Sequence, residues 1–169
     1  LVSDEQGLVH ALDWLDHDER MQRLLGRYYG NVSMRLRETK QESATKRAVL
    51  AYFGGQLDAI TNLEVASPGS EFQNEVWRAL RRIPRGQTQS YGALAKQIGR
   101  PAAVRAVGLA NGSNPIAVIV PCHRVIGANA SLTGYGGGLD RKRWLLAHEG
   151  VECDAAPQRA RASRRANVG

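Results

Sequence analysis

At 169 residues, of which 43% are hydrophobic, the chain can bury one large core or two small ones. It has no apolar run of the roughly eighteen residues a membrane helix needs, so a soluble protein without a membrane partner is expected. Cys122, Cys153 and four histidines (His10, His17, His123, His148) show no disulfide or zinc spacing. No metal is expected, therefore, and a reducing, cytoplasmic location fits. Leu1 begins no basic and apolar leader, which argues against export and leaves open a truncated start. The net charge of +7 is unevenly spread, −2 over residues 1–70 and +9 over residues 71–169, so the second half would face any polyanion. Four of its arginines (Arg159, Arg161, Arg164, Arg165) fall in a basic tail, 154–169, expected to be disordered; without those four charges the second half carries +5.

In chain order, residues 8–12 alternate loosely like a strand after the turn-like Asp4-Glu5-Gln6-Gly7. Residues 46–53 carry the Val49, Leu50, Phe53 spacing of an amphipathic helix. The small, turn-forming stretch Ala66-Ser67-Pro68-Gly69-Ser70 coincides with the change of charge and marks a domain boundary. Two domains are expected: an α+β domain over 1–66 with an antiparallel sheet, and a mostly helical domain over 67–153. A helix over 71–83 is predicted, with Ser70 as its N-cap and Phe72, Val76, Leu80 and Ile83 on one face, ended by Pro84-Arg85-Gly86. A short helix over 90–99 follows, stopped by Gly99, and a second begins at Pro101 and runs to about Leu109. Two short helices joined by a tight turn make a helix-turn-helix candidate, a pattern that many helical hairpins unconnected with DNA share.

Residues 114–125 read as a turn, a buried strand, and then Pro121, which stops ladder pairing just before Cys122. A thiol reacts as its thiolate, so its pKa must be lowered, and His123 and Arg124 are its neighbours. The spacing points to nucleophilic chemistry; a small buried residue that happens to precede a histidine is the plain alternative.

Pro121-Cys122-His123-Arg124, followed by Val125-Ile126, resembles the nucleophile motif of the O6-alkylguanine-DNA alkyltransferases. Arg105-Ala106-Val107-Gly108 and Asn114-Pro115 upstream resemble that family's DNA-probing helix and hinge. Downstream, Tyr135-Gly136-Gly137-Gly138 and Trp144-Leu145-Leu146-Ala147-His148-Glu149 resemble its pocket loop and final helix. The likeness is strong over 72–150 and weaker before that, where Tyr52-Phe53-Gly54-Gly55-Gln56-Leu57 resembles the helix that closes the N-terminal domain.

The resemblance implies an RNase H-like N-terminal domain and a winged helix-turn-helix. It implies DNA repair by direct reversal: a methyl or other alkyl group passes from O6-methylguanine, with O4-methylthymine as a second substrate, to Cys122. His123 would act as base through a bound water, Glu149 would orient that histidine, and Tyr91 would serve ring N3 of the guanine. Arg105 would fill the space left by a flipped base, with its helix in the minor groove, and Ala106, Gly108, Asn114 and Arg124 belong to the same DNA-binding set. Small residues at Ala102, Ala103, Ala106 and Gly108 would allow close approach, and Asn114 would tie the hinge that Pro115 stiffens. Val125, Tyr135, Gly136 and Gly137 would form the substrate pocket. The reaction needs no cofactor, because the damaged duplex is the donor, and it is single-turnover, because a thioether offers water no ready leaving group. The partner is double-stranded DNA carrying alkylated bases, met by a monomer, with cooperative loading left open.

Gly136 stands where some relatives carry a serine that bonds the substrate oxygen, and Ala117 replaces a pocket-wall proline. The family's first strand, usually placed before Leu1, is missing, as is the zinc-bearing domain of some relatives. A non-catalytic lesion binder and a cysteine hydrolase using Cys122, His123 and Glu149 are the competing readings.

Overall fold

The computed structural model describes residues 1–30 and 35–152; the predicted basic tail lies outside them. The chain opens with an antiparallel pair, β1 (Val2–Ser3) and β2 (Val9–Ala11). The Asp4 carboxylate shapes the reversal between them, accepting the amides of Gln6 and Leu8 at 3.0 and 2.9 Å. A 3-10 turn over Leu15–His17 leads into α1 (Asp18–Tyr29), which buries Leu24 and Leu25. The second helix, α2 (Ala44–Phe53), starts two residues before the predicted 46 because Ser43 caps it, its hydroxyl accepting the Lys46 amide at 3.0 Å.

Among the described residues the second half holds four helices. The first, α3 (Glu71–Leu80), opens on Ser70 and Gln73, which bond each other's backbone amides as a capping box. It buries Val76, Trp77 and Leu80, and ends three residues before the predicted 83 in tight turns that carry Ile83 into the core. A two-residue strand, β3 (Gln89–Ser90), precedes α4 (Tyr91–Gln97), with Ser90 again as the cap. Next comes α5 (Val104–Gly112). Pro101 does not start α5, as expected from sequence. It sits second in a turn closed by the Ala103 amide on the Arg100 carbonyl at 2.9 Å, a position its fixed φ suits, and Ala102 shares that turn. Trp77 ties α3 to α5 by donating to the Ala110 carbonyl at 2.9 Å.

The largest departure lies in residues 114–121, where a buried strand was expected. Only Ile116 pairs, in a single bridge to Leu12, and the segment winds through turns with Val118 at φ +70°. Its backbone is satisfied in part by turn hydrogen bonds, such as Val120 N to the Ile116 carbonyl at 3.0 Å, and in part by one side chain. Asn114 accepts the Ile116 amide at 2.9 Å and donates to the carbonyls of Ile116 and Val120 at 3.3 and 2.9 Å. An apolar run alone does not separate a strand from a buried turn. A 3-10 turn over Cys122–Arg124 follows, then β4 (Val125–Ile126), parallel to β3, and α6 (Leu139–His148) closes the described fold.

The described residues form a mixed α/β fold of two small two-stranded sheets and six α-helices, with one apolar core that runs from Val9 through Val76 and Leu94 to Leu145. Among the described residues no helix is long and apolar enough to cross a membrane.

Candidate active site

Cys122 is 5% exposed, at the start of the 3-10 turn, behind the Asn114 loop. Pairing of Ser90 with Ile126 lays the start of α4, and with it Tyr91, beside the strand that leaves this turn. Burial pushes the Cys122 thiol above its ordinary pKa, against the pull of the Asn114 amide and of the charges on Arg20 and Lys142. Here the sequence expectation is corrected. His123 and Arg124 do not hold the thiol down, because both side chains are committed to Glu149.

That commitment is geometrically complete. Glu149 caps the end of α6, and its Oε1 accepts the Tyr52 hydroxyl at 2.8 Å, His123 Nε2 at 3.0 Å and Arg124 Nη2 at 2.8 Å. Its Oε2 accepts Arg124 Nε at 2.8 Å. Burial alone would raise the Glu149 carboxyl; the bonds and charges of His123 and Arg124 outweigh it and hold the group well below the usual carboxylate range. A carboxylate can only accept, so Nε2 of His123 carries the proton. Burial also lowers the His123 pKa, with Glu149 opposing, so the ring is neutral and Nδ1 is its lone-pair nitrogen. Nδ1 is buried and has no hydrogen-bond partner among the described residues.

Arg124 was expected on the DNA surface. Its third contact, Nη1 to the Ile83 carbonyl at 2.7 Å, completes an inward orientation with its side chain 11% exposed, so it is reassigned from DNA contact to the Glu149 cluster. Asn114 is likewise buried, tied to the backbone rather than open to a duplex. Arg105, Ala106 and the partly covered Gly108 do lie on the open side of α5, with Leu109 70% exposed beside them.

The segments expected to wall the substrate pocket are held from two sides. Lys142, wholly buried on α6, donates from Nζ to the carbonyls of Val125 at 2.6 Å and Thr133 at 2.7 Å, bridging β4 and the loop before Tyr135. The Tyr91 hydroxyl lies 3.5 and 3.4 Å from the carbonyls of Thr133 and Gly134, and burial raises its pKa, so the phenol keeps its proton. On the far side the loop rests on the first half of the chain. A Cβ at Gly137 would meet Trp14 Nε1 at 2.3 Å, so glycine is required there, whereas one at Gly136 would meet the Arg20 guanidinium at 2.7 Å, the end of a side chain that would have to shift. Arg20 is paired with Asp13, and Arg141 stacks 4.8 Å from the Trp14 ring while gripping both oxygens of Asp16 at 2.8 Å. The buried Tyr135 hydroxyl has no partner among the described residues.

Sequence reasoning missed four members of this arrangement: Tyr52, Arg20, Trp14 and Lys142. Tyr52 lay inside a quoted motif without a role. Lys142, between Arg141 and Arg143, reads as part of a solvated basic run.

Residues 71–151 match the family model described as "6-O-methylguanine DNA methyltransferase, DNA binding domain". The chain is 49% identical over 150 residues to a methylated-DNA–protein-cysteine methyltransferase of Salmonella typhimurium, covering 89% of this chain and 88% of that one. It belongs to the methylated-DNA–protein-cysteine methyltransferase family. Another member, from Mycolicibacterium paratuberculosis, is 66% identical over 99 residues, covering 59% of each chain. Among solved structures, Mycobacterium tuberculosis OGT in complex with DNA superposes with a TM-score of 0.67 at 42% identity, covering 88% of this chain and 84% of that one. An O6-methylguanine-DNA methyltransferase from Pyrococcus kodakaraensis gives 0.65 at 31% identity and 79% coverage of each. The methyltransferase likeness thus extends beyond 71–151 and takes in the half that supplies Tyr52, Trp14 and Arg20.

Proposed function

We propose that this protein repairs alkylated DNA by direct reversal, with Cys122 as the acceptor of the alkyl group of O6-methylguanine. The observation that carries the reading is the tautomer forced on His123. With Nε2–H fixed on the Glu149 carboxylate, Nδ1 is a base, buried next in sequence to a thiol that burial keeps protonated.

The roles follow from the same geometry. His123 Nδ1 takes the Cys122 proton, through a water, when substrate arrives, and Glu149 stabilises the imidazolium that forms. The Cys122 sulfur then attacks the methyl carbon in line, an S–C bond forms, and the C–O bond breaks with its electron pair moving into the guanine. Tyr91, whose phenol holds its proton, donates to ring N3 and relieves that charge. Val125, fixed through its carbonyl by Lys142, and the 135–137 loop wall the base. The methylated oxygen lies inside the base pair, so the nucleotide must leave the stack first. Arg105, exposed on α5, fills the gap, while Ala106 and Gly108 let the helix approach the groove.

The finer assignments belong to this reading too. We take 1–66 as the RNase H-like unit, and α4, its turn and α5 as the helix-turn-helix, winged by the β3–β4 pair, in 67–153. O4-methylthymine carries a comparable methyl ether and is a second substrate. The protein acts as a monomer in the cytoplasm, where Cys122 stays a free thiol.

The test is intact-mass measurement after incubation with methylated duplex. A single methyl-sized gain on the peptide holding Cys122 is expected. Binding without mass gain would make the protein a lesion binder, and turnover on small esters without DNA would make it a hydrolase.

A further inference from the structure

The first half of the chain carries net negative charge, which by itself assigns nucleic acid to the second half. The structure places one basic feature of that acidic half beside α5. Arg20, Arg23 and Arg27 recur on α1 at intervals of three and four, one face of a helix, and line a groove of about 370 Å³ whose other wall is Gly108, Leu109 and Gly112 of α5.

The three arginines differ in what they hold. Arg20 is structural. It pairs with Asp13, and its Nη2 donates to the carbonyls of Gly112 at 3.0 Å and Asn114 at 3.2 Å. Tyr28, two turns on, donates to the Ser113 carbonyl at 3.1 Å. Side chains of α1 therefore satisfy carbonyls at the C-terminal end of α5, and the two helices are registered by bonds to backbone. Arg23 and Arg27 are exposed, and neither has an ion pair among the described residues; Arg23 reaches only its own helix, the Glu19 carbonyl at 3.3 Å. The groove itself has no acidic lining residue.

We propose that Arg23 and Arg27 form a second DNA contact, binding backbone phosphates of the strand that runs past the C-terminal end of α5, beyond the place where Arg105 enters. The proposal rests on the reading that α5 lies along the duplex. Three features support it. Positive charge without a protein counterion faces a groove continuous with the exposed side of α5. Gly108 and Gly112 leave the α5 wall low enough for a backbone to approach. Positions 23 and 27 are separated by four residues, about 6 Å of helix rise, close to the rise of two nucleotides at about 3.4 Å each. The bonds from Arg20 and Tyr28 hold this stripe in fixed register with α5, so it acts as an extension of the recognition surface.

The experiment measures binding of unmethylated duplex by the full chain across a salt series, for wild type, R23Q/R27Q and R23K/R27K. Each phosphate contact contributes about 0.9 to the slope of log affinity against log salt, so the glutamine pair should flatten it by about 1.8. The lysine pair should restore the slope, because counterion release counts charges. Methyl uptake from free O6-methylguanine base should be unchanged in all three, which separates DNA contact from damage to the fold. An unchanged slope in the glutamine pair overturns the proposal, as does a flattened slope that lysine leaves flat. Failure of wild type to take up a methyl group sinks the transfer reading instead, and leaves the slope measurement, made on undamaged duplex, to decide the arginine stripe.

Discussion

The cluster behind Cys122 and the open face of α5 are built on opposite rules. Behind the thiol, Glu149 is buried and accepts four hydrogen bonds, the His123 tautomer is dictated, and Arg124 spends all three of its nitrogens on the protein. On α5, Arg105, Ala106 and Gly112 are exposed, Leu109 stands 70% exposed, and little is committed in advance. Groups that must hold a proton in one place are fixed by saturating their partners. Groups that must meet a duplex are left with theirs to find.

Substitutions on the two sides should therefore fail differently. The largest effect belongs to Cys122→Ala: no methyl uptake by mass, with binding to methylated duplex retained, since the thiol supplies chemistry and little area. Uptake reappearing at Cys153 would collapse the contrast. Arg105→Ala should slow repair of duplex by on the order of a hundredfold, the size of a few kcal/mol of unstacking, while free O6-methylguanine base reacts as in wild type. Equal slowing on both substrates would move Arg105 from recognition to support of the pocket. Arg105→Lys should recover only part of the rate, lacking the planar fork.

On the saturated side, Glu149→Gln leaves Arg124 without its counterion and should cost about 3–5 kcal/mol in urea unfolding, as well as slowing transfer. Combined with His123→Asn, it should lower the transfer rate little beyond the worse single change, because the two act as one unit. Multiplicative losses would argue that they act separately. Tyr52→Phe removes one of four donors and should cost about 1.5–3 kcal/mol.

The smallest effects concern pH. His123 is buried neutral, its pKa below the unfolded value, so the unfolded chain binds the extra proton and stability should fall as pH drops below about 6.5. The thiol of Cys122 is raised, so the unfolded chain loses its proton first and stability should fall above about 8.5. The methylated protein has no Cys122 thiol to ionise, and its alkaline limb should be flatter by that contribution in paired melting series.

Much of this was legible in residue order. Ser70 announced its helix because a cap is a local bond, and Pro121-Cys122-His123-Arg124 marked the group proposed to react. The illegible parts depend on distant partners. Residues 114–121 read as a strand, but backbone turns and the Asn114 side chain together do the work of a ladder. Arg124 beside a cysteine could face either way; only Glu149 and Ile83, both remote in sequence, turn it inward. Helix α1 is amphipathic, with Leu24 and Leu25 buried against a charged face, so its periodicity was legible although no helix was predicted there; only the placement of its arginines beside α5 depends on distant partners.

The Tyr52–Glu149 bond joins residues 97 apart in sequence, and His123 waits for the same carboxylate across 26. During synthesis Cys122 and His123 exist before Glu149 does, and no earlier residue stands in for it in the described fold. An imidazole without that acceptor has no imposed tautomer. If His123 serves Cys122 as proposed, the thiol gains its oriented base only when the end of α6 docks on the first half.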